Sequence, residues 1–240
     1  MSAALVVARV AACLMVAPGF SSPRVSMRAR LFFALALSLM IEPLARERLA
    51  ADAGGTLAVQ ALALLRETGI GLTLGLVARV YLLCFDMMTA AMSNFIGLSA
   101  AFAPSPDGDQ QMPTLSSVLG LAATMLVFAS GLDAELIRAL LGSYQAFPPD
   151  LALSQALMGQ YLDALSDATL IGLRIAGPLL VISLVANLAF GAASRFVPQA
   201  PIYFVASPVL IGLGLLALYA MERPAFGLLI DALGQRLASW

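Results

Sequence analysis

Between Gly69 and Leu98 the chain runs for 30 residues with only two charged side chains, Arg79 and Asp86. As α-helix, rising about 1.5 Å per residue, such a run reaches roughly 45 Å, against about 30 Å of bilayer hydrocarbon. Five further apolar segments cover Ala4–Ala17, Leu31–Leu44, Leu115–Leu141, Ala168–Phe190 and Ile202–Ala220. The breaks between segments carry Pro18-Gly19, Gly54-Gly55, a Pro/Asp/Gly-rich run near Pro104, Pro148-Pro149, and Pro198 with Pro201, all residues that stop helices or make turns. With 61% of 240 residues hydrophobic and 11% charged, no soluble fold of this size can bury every segment. These observations predict an all-α, hydrophobic, multi-helix membrane-associated chain of about six long apolar helices with a central Pro-rich loop, forming one domain over residues 1–240. Met1 to Gly19 has some likeness to a signal peptide, but it lacks a basic start and carries Arg9 inside its apolar run, so a retained first helix is expected.

Charge placement does not fit a simple polytopic protein. The positive-inside rule alternates Arg-rich with Arg-poor loops. Here Arg24, Arg28 and Arg30 mark the first connection as cytoplasmic, Arg46, Arg48 and Arg66 mark the second as well, and the third and fourth hold only acidic charges. Together with the uneven segment lengths, this suggests helices that meet protein over part of their length instead of lipid. The formal net charge is −1 and no basic block occurs, which gives no surface for nucleic acid. Cys13 and Cys84 both lie in apolar runs, where a thiol acts as a small hydrophobe.

For catalysis the sequence offers mainly exclusions. It contains no His, and all 13 basic residues are Arg, so Ser–His and Ser–Lys pairs are ruled out. The usual zinc ligand sets and a P-loop are missing too, and no metal, cofactor or catalytic residue is expected.

The most ordered pattern is Glu67, Gly71, Gly75 and Arg79, recurring at every fourth position and so forming a stripe along one helix face. Two glycines at that spacing let another backbone approach closely. A helix-packing contact is the plainer reading, and a gating or ion-path role for Glu67 and Arg79 is the other. If partner subunits pack there, Gly75→Leu should prevent their co-purification. Arg79 and Asp86 are seven residues apart, too far to pair simply within one helix, and each therefore needs a partner elsewhere or water. Asp133, Glu135 and Arg138, near the end of the fourth segment, read as interfacial charges. The stretch from Ser99 to Ser117 has three prolines and an Asp-Gly turn, so helix cannot continue through it. Its length is that of a functional loop, and Phe102 and Met112 suit a segment packed inside something more than a solvated one.

The order of these landmarks resembles the FliR family of flagellar export-gate proteins and their injectisome counterparts, from about Ala8 to Tyr219. The opening, with Arg9, Pro18, Phe20, Arg28, Arg30 and Pro43, is similar to the family's first two helices. The segment from Glu67 to Gly75, ETGIGLTLG, is similar to its Glu-x-x-x-Gly-x-x-x-Gly stripe. Gly97-Leu98-Ser99 leads into the loop, Ser143, Phe147 and Pro148 fit an exit motif, and Pro198, Gln199, Phe204 and Pro208 fit the terminal signature. Departures are Ala103, Leu132 after Gly131, Pro201, Val209 and Met88-Thr89, where the family commonly has other residues.

The resemblance implies one copy of this chain in a helical hetero-oligomeric gate with the smaller P and Q subunits, alongside the large export-gate subunits and in contact with membrane lipid. It further implies a bacterial inner-membrane, multi-pass location within the flagellar basal body. Unfolded export substrates would pass through, and the loop with Phe102, Pro104, Pro106 and Met112 would contribute to a plug. The alternatives are an injectisome gate subunit and a small-solute secondary transporter using Glu67, Arg79, Asp86 and Arg174 as intramembrane charges.

Overall fold

A computed structural model describes residues 1–22, 25–97, 102–104, 111–147, 153–196 and 202–240. At 47–48, 50–53, 102–104, 111–113, 153–154, 156, 196 and 202–207 it describes the backbone alone. Among the described residues are seven helices: α1 (Ser2–Val16), α2 (Met27–Ala53), α3 (Leu57–Ile96), α4 (Thr114–Ala129), α5 (Leu132–Ala146), α6 (Leu153–Phe196) and α7 (Ile202–Ala238). Two three-residue strands, β1 (Phe102–Pro104) and β2 (Gln111–Pro113), pair antiparallel with Ala103 opposite Met112. The ribbon has only two strands, so prolines can sit in it without breaking an inner ladder.

Among the described residues regular structure is thus helical apart from this ribbon, and each of the six apolar segments falls mainly on helix. The fourth is divided: Gly131 adopts φ +77°, a left-handed conformation that glycine takes without penalty, and α4 meets α5 there at 65°. The helices also outrun the apolar segments. α3 starts at Leu57, not Gly69, and α6 starts at Leu153, not Ala168. Both extensions are rich in Ala and Leu interspersed with Gln, Arg, Glu or Asp, which favour helix while lowering hydropathy.

α3 is the central post. α1 packs along one part of it and α6 along another, α2 folds back on α1, and α7 pairs with α6 and reaches α5. The main core joins Leu5, Val6, Val10 and Leu14 of α1 to Leu74, Val77 and Tyr81 of α3, with Leu136 and Leu140 of α5 and Leu229, Leu233 and Leu237 of α7. A smaller cluster, Met92, Ile96, Ala176 and Leu179, ties the far end of α3 to α6.

Three helical stretches, Leu57–Ile96, Leu157–Arg195 and Pro208–Ala238, are long and apolar enough to cross a bilayer, and the bent α4–α5 pair would make a fourth. α1, at 15 residues, reaches only about 22 Å, short of the roughly 30 Å of hydrocarbon. Burial is very uneven. In their most apolar stretches α3 is 61% buried within the chain, whereas α7 is 6% buried.

Candidate functional site

The stripe on α3 faces α1 of the same chain. A Cβ added to Gly71 would lie 2.0 Å from the backbone oxygen of Arg9, and one added to Gly75 would lie 2.6 Å from that of Cys13. Any side chain at either position would collide with backbone. Arg9 and Cys13 step up α1 by four residues as Gly71 and Gly75 step up α3, so the two helices run parallel at this contact.

That direction places the charges. Side chains lean toward the N-terminus of their helix, so Arg9 reaches back one turn past Gly71 and meets Glu67. Its Nε donates to Glu67 Oε2 at 2.6 Å and its Nη2 to Glu67 Oε1 at 2.9 Å, the side-on fork in which a guanidinium matches both carboxylate oxygens. Nη1 donates to Ser143 Oγ of α5 at 2.9 Å, and Ser143 Oγ donates to the carbonyl of Leu140 at 2.6 Å. The guanidinium carbon sits 3.8 Å from the centre of the Tyr144 ring, a cation–π distance. Arg66 Nη2 also approaches Glu67 Oε1, at 3.4 Å.

Arg9 is 1% exposed, Glu67 and Ser143 not at all. Burying two charges costs several kcal/mol per ion unless geometry and remaining hydrogen bonds compensate. Here each nitrogen of the guanidinium has an acceptor. The arrangement pins three helices together at one point, with Glu67 shielded from solvent.

Arg79, the fourth member of the stripe, lies two turns beyond Gly71, where α1 has already ended at Val16. Instead of packing under α1 it lines a cavity of about 200 Å³ with Asp86, Pro18, Ser22 and Thr124. Arg79 and Asp86 therefore share one cavity. Beside it, Phe20 stacks on Phe33 at 5.3 Å and meets Phe128 edge-on at 5.7 Å. Arg174 lies elsewhere, in a cleft between α6 and α7. The four charges of the transporter reading are thus spread over three separate places. Glu135 and Arg138 pair with each other in α5, with the arginine largely exposed.

Of the loop residues, Phe102, Pro104 and Met112 lie on the β1–β2 ribbon, their side chains outside the described residues, as is Pro106 altogether. Pro198 and Gln199 lie outside the described residues as well, as do Arg24, Leu98, Ser99, Pro148 and Pro201. Phe204 is placed in the first turn of α7 by its backbone, and Pro208 is an exposed position inside that helix.

Sequence reasoning singled out Glu67 for its stripe and Arg9 as an oddity in an apolar run, but it did not join them. The available signal was weak: a lone buried acid and a lone buried base each need a partner.

The outer faces contrast with this seam. On α2, Phe32 is 77% and Met40 74% exposed, with Leu39 and Leu44 nearly as open. Leu57, Leu62 and Leu65 on the first turns of α3, Val181, Val185 and Leu188 on α6, and Leu216 and Tyr219 on α7 are exposed too.

The sequence profile described as bacterial export proteins, family 1, matches residues 1–235. The chain is 34% identical over 222 residues to the flagellar biosynthetic protein FliR of Caulobacter vibrioides, covering 90% of this chain and 87% of that one. It is 27% identical over 160 residues to the FliR of Aquifex aeolicus, covering 64% of this chain and 60% of the relative. It is also 25% identical over 162 residues to the Yop proteins translocation protein T of Yersinia pestis, covering 65% and 62%.

Proposed function

Because the chain belongs to the family-1 bacterial export proteins and is a subunit of the flagellar/type III export apparatus, we propose that it builds the export gate structurally and performs no catalysis. The observation that carries this reading is the division of labour between inside and outside. The buried charges satisfy one another within the chain, while long helices keep apolar faces turned outward. A subunit of this kind recognises other subunits and lipid through packing. The lack of His and Lys supports the non-catalytic part of the reading.

In this proposal the exposed faces of α2, α6 and α7 meet the P and Q subunits, the large export-gate subunits and membrane lipid, in a gate of the bacterial inner membrane within the flagellar basal body. The segment around Phe102, Pro104, Pro106 and Met112 closes the channel to small solutes while unfolded substrates pass when it opens. Of the terminal motif, Phe204 and Pro208 lie on α7, which helps present these faces, and Pro198 and Gln199 precede them in the sequence. Gly71 and Gly75 serve the fold of the subunit itself. The relative with most identity among those above is flagellar, which favours flagellar over injectisome clients. The separation of Glu67, Arg79 with Asp86, and Arg174 speaks against the transporter reading.

The test is genetic and biochemical together. Deleting the gene should abolish export of flagellin, and a tagged chain should co-purify with the P and Q subunits. Normal flagellin export with loss of injectisome clients would move the protein to the other system, and normal export of both would sink the proposal. Removing the segment from Phe102 to Met112 should leave the complex assembled but leaky to small ions; unchanged conductance would remove the plug role.

A further inference from the structure

Helices α6 and α7 close a cleft of about 380 Å³ against Tyr81 of α3, and its polar lining includes Asp167, Arg174, Arg236 and Ser239. None of these residues takes part in the α1–α3–α5 seam. Arg236 is held in place: its Nη2 donates to the backbone oxygen of Gln160 at 2.8 Å and to the side-chain Oε1 of the same residue at 3.1 Å. Its Nε, beside Nη2 on the same edge of the guanidinium, is shielded from solvent and has no acceptor among the described residues. Buried donors in native proteins are almost always satisfied, so an orphan one asks for an acceptor from outside the chain. Arg174 is exposed, and among the described residues neither arginine forms an ion pair with Asp167.

We infer that this cleft binds a phosphate group, held between the Nε–H of Arg236 and the guanidinium of Arg174. The Arg174 guanidinium presents Nε–H and Nη–H side by side, which suits two oxygens of one phosphate, while Arg236 adds its single unpaired Nε–H and Tyr81 its hydroxyl. Two guanidiniums against the one carboxylate of Asp167 leave a single excess positive charge. That balance fits a singly charged phosphodiester better than a dianionic phosphate. The position in the fold agrees: Arg236 lies in the last turn of α7, and Gln160 near the start of the apolar stretch of α6. Arg236 thus stands at the end of a helix long enough to cross a bilayer, where headgroups lie. Exposed Leu170 and Leu173, beside Arg174 on α6, offer an apolar strip for an acyl chain. The shared chemistry is the phosphate; an anionic phospholipid is its favoured source, and free phosphate the other.

The experiment titrates the full chain, purified in detergent with its partner subunits, with phosphatidylglycerol, with uncharged diacylglycerol and with inorganic phosphate. The readout is the thermal unfolding midpoint. Phosphatidylglycerol should raise the midpoint and diacylglycerol should not. Arg174→Gln should require roughly tenfold more phosphatidylglycerol for half the effect, the loss expected for one charge-assisted contact. Arg236→Gln should lose at least as much, but it also gives up the Gln160 contacts, so Arg174→Gln carries the test because Arg174 holds nothing within the described chain. Arg195→Gln, in the last turn of α6 and outside the cleft, should respond like the wild type. An equal rise with inorganic phosphate, again lost in Arg174→Gln, would keep the site and assign it to the free anion. Wild-type titration by Arg174→Gln, or no shift with either phosphate source, would overturn the inference.

Discussion

The α1–α3–α5 seam and the outer faces of α2 and α7 are built from similarly apolar helices yet solve opposite problems. At the seam, two glycines let backbones touch, and the buried charges are matched atom to atom: Arg9 to Glu67 and Ser143, with Arg66 also reaching Glu67. On the outer faces large side chains such as Phe32, Met40 and Tyr219 stand open, with no comparable polar anchoring. The seam is specific because its geometry admits one register, and a shift of α1 by one turn would part Arg9 from Glu67 and move both glycines off the close contacts. Among the described residues the outer faces hold no such lock. Apolarity therefore says little about role here, and what separates a folding surface from an assembly surface is whether its backbone contacts and charges are already complete.

The largest effect should come from unpairing the seam. Arg9→Leu or Glu67→Leu each leaves the other charge buried with too few partners, and the destabilisation expected for breaking a buried pair is about 3–5 kcal/mol. Either variant should fail to accumulate in membranes at normal levels, as read by immunoblot and by unfolding of any purified chain. Normal accumulation and stability of both would break the contrast from the inside.

Next in size is the backbone contact. Gly71→Ala sets a methyl 2.0 Å from a carbonyl oxygen, so α1 and α3 must spread, at an overpacking cost of roughly 1–3 kcal/mol or more. Gly75→Ala, with its 2.6 Å approach, should cost less, while Gly177→Ala, which meets nothing within 4 Å, should be tolerated. The order Gly71, Gly75, Gly177 in thermal stability is the quantity to measure. A reversed order would deny that the seam is set by helix approach.

The smallest effect on the chain itself is expected on the outside. Leu39→Ser with Met40→Ser changes exposed positions of α2, and the folded chain should keep its stability within about 0.5 kcal/mol per site. Co-purification with partner subunits should nonetheless fall. Unchanged recovery of partners would show that this face is not an assembly surface and would sharpen the division to α6 and α7.

Much of this division was legible in the sequence, though not its pairing. Apolar runs located every helix, because long stretches without charge leave few other folds. Hydropathy placed the starts of α3 and α6 too late, since helix formers such as Gln60 and Arg66 continue a helix while reading as polar. The fourth apolar run concealed its break, because Gly131 costs little hydropathy but turns the chain by 65° through a positive φ. The Gly71–Gly75 spacing announced a close contact without saying that α1 supplies it. The bond from Arg9 to Glu67 spans 58 positions, and a single sequence carries no signal for which distant charge a buried one will meet. Arg79 shows the converse: it continues the stripe by number, but α1 ends before reaching it, so it lines a cavity instead.

The central claim is that the buried charges serve the fold of the subunit while the open apolar faces serve the gate. The most direct measurement compares flagellin export by Arg9→Leu, by Glu67→Leu and by the double variant, each checked for the amount of chain in the membrane. Replacing a buried pair by apolar residues is often neutral, so the double variant should recover much of the accumulation and export that either single change loses. A double variant that accumulates normally yet exports nothing would contradict the account and assign the charges to the passage of substrate itself.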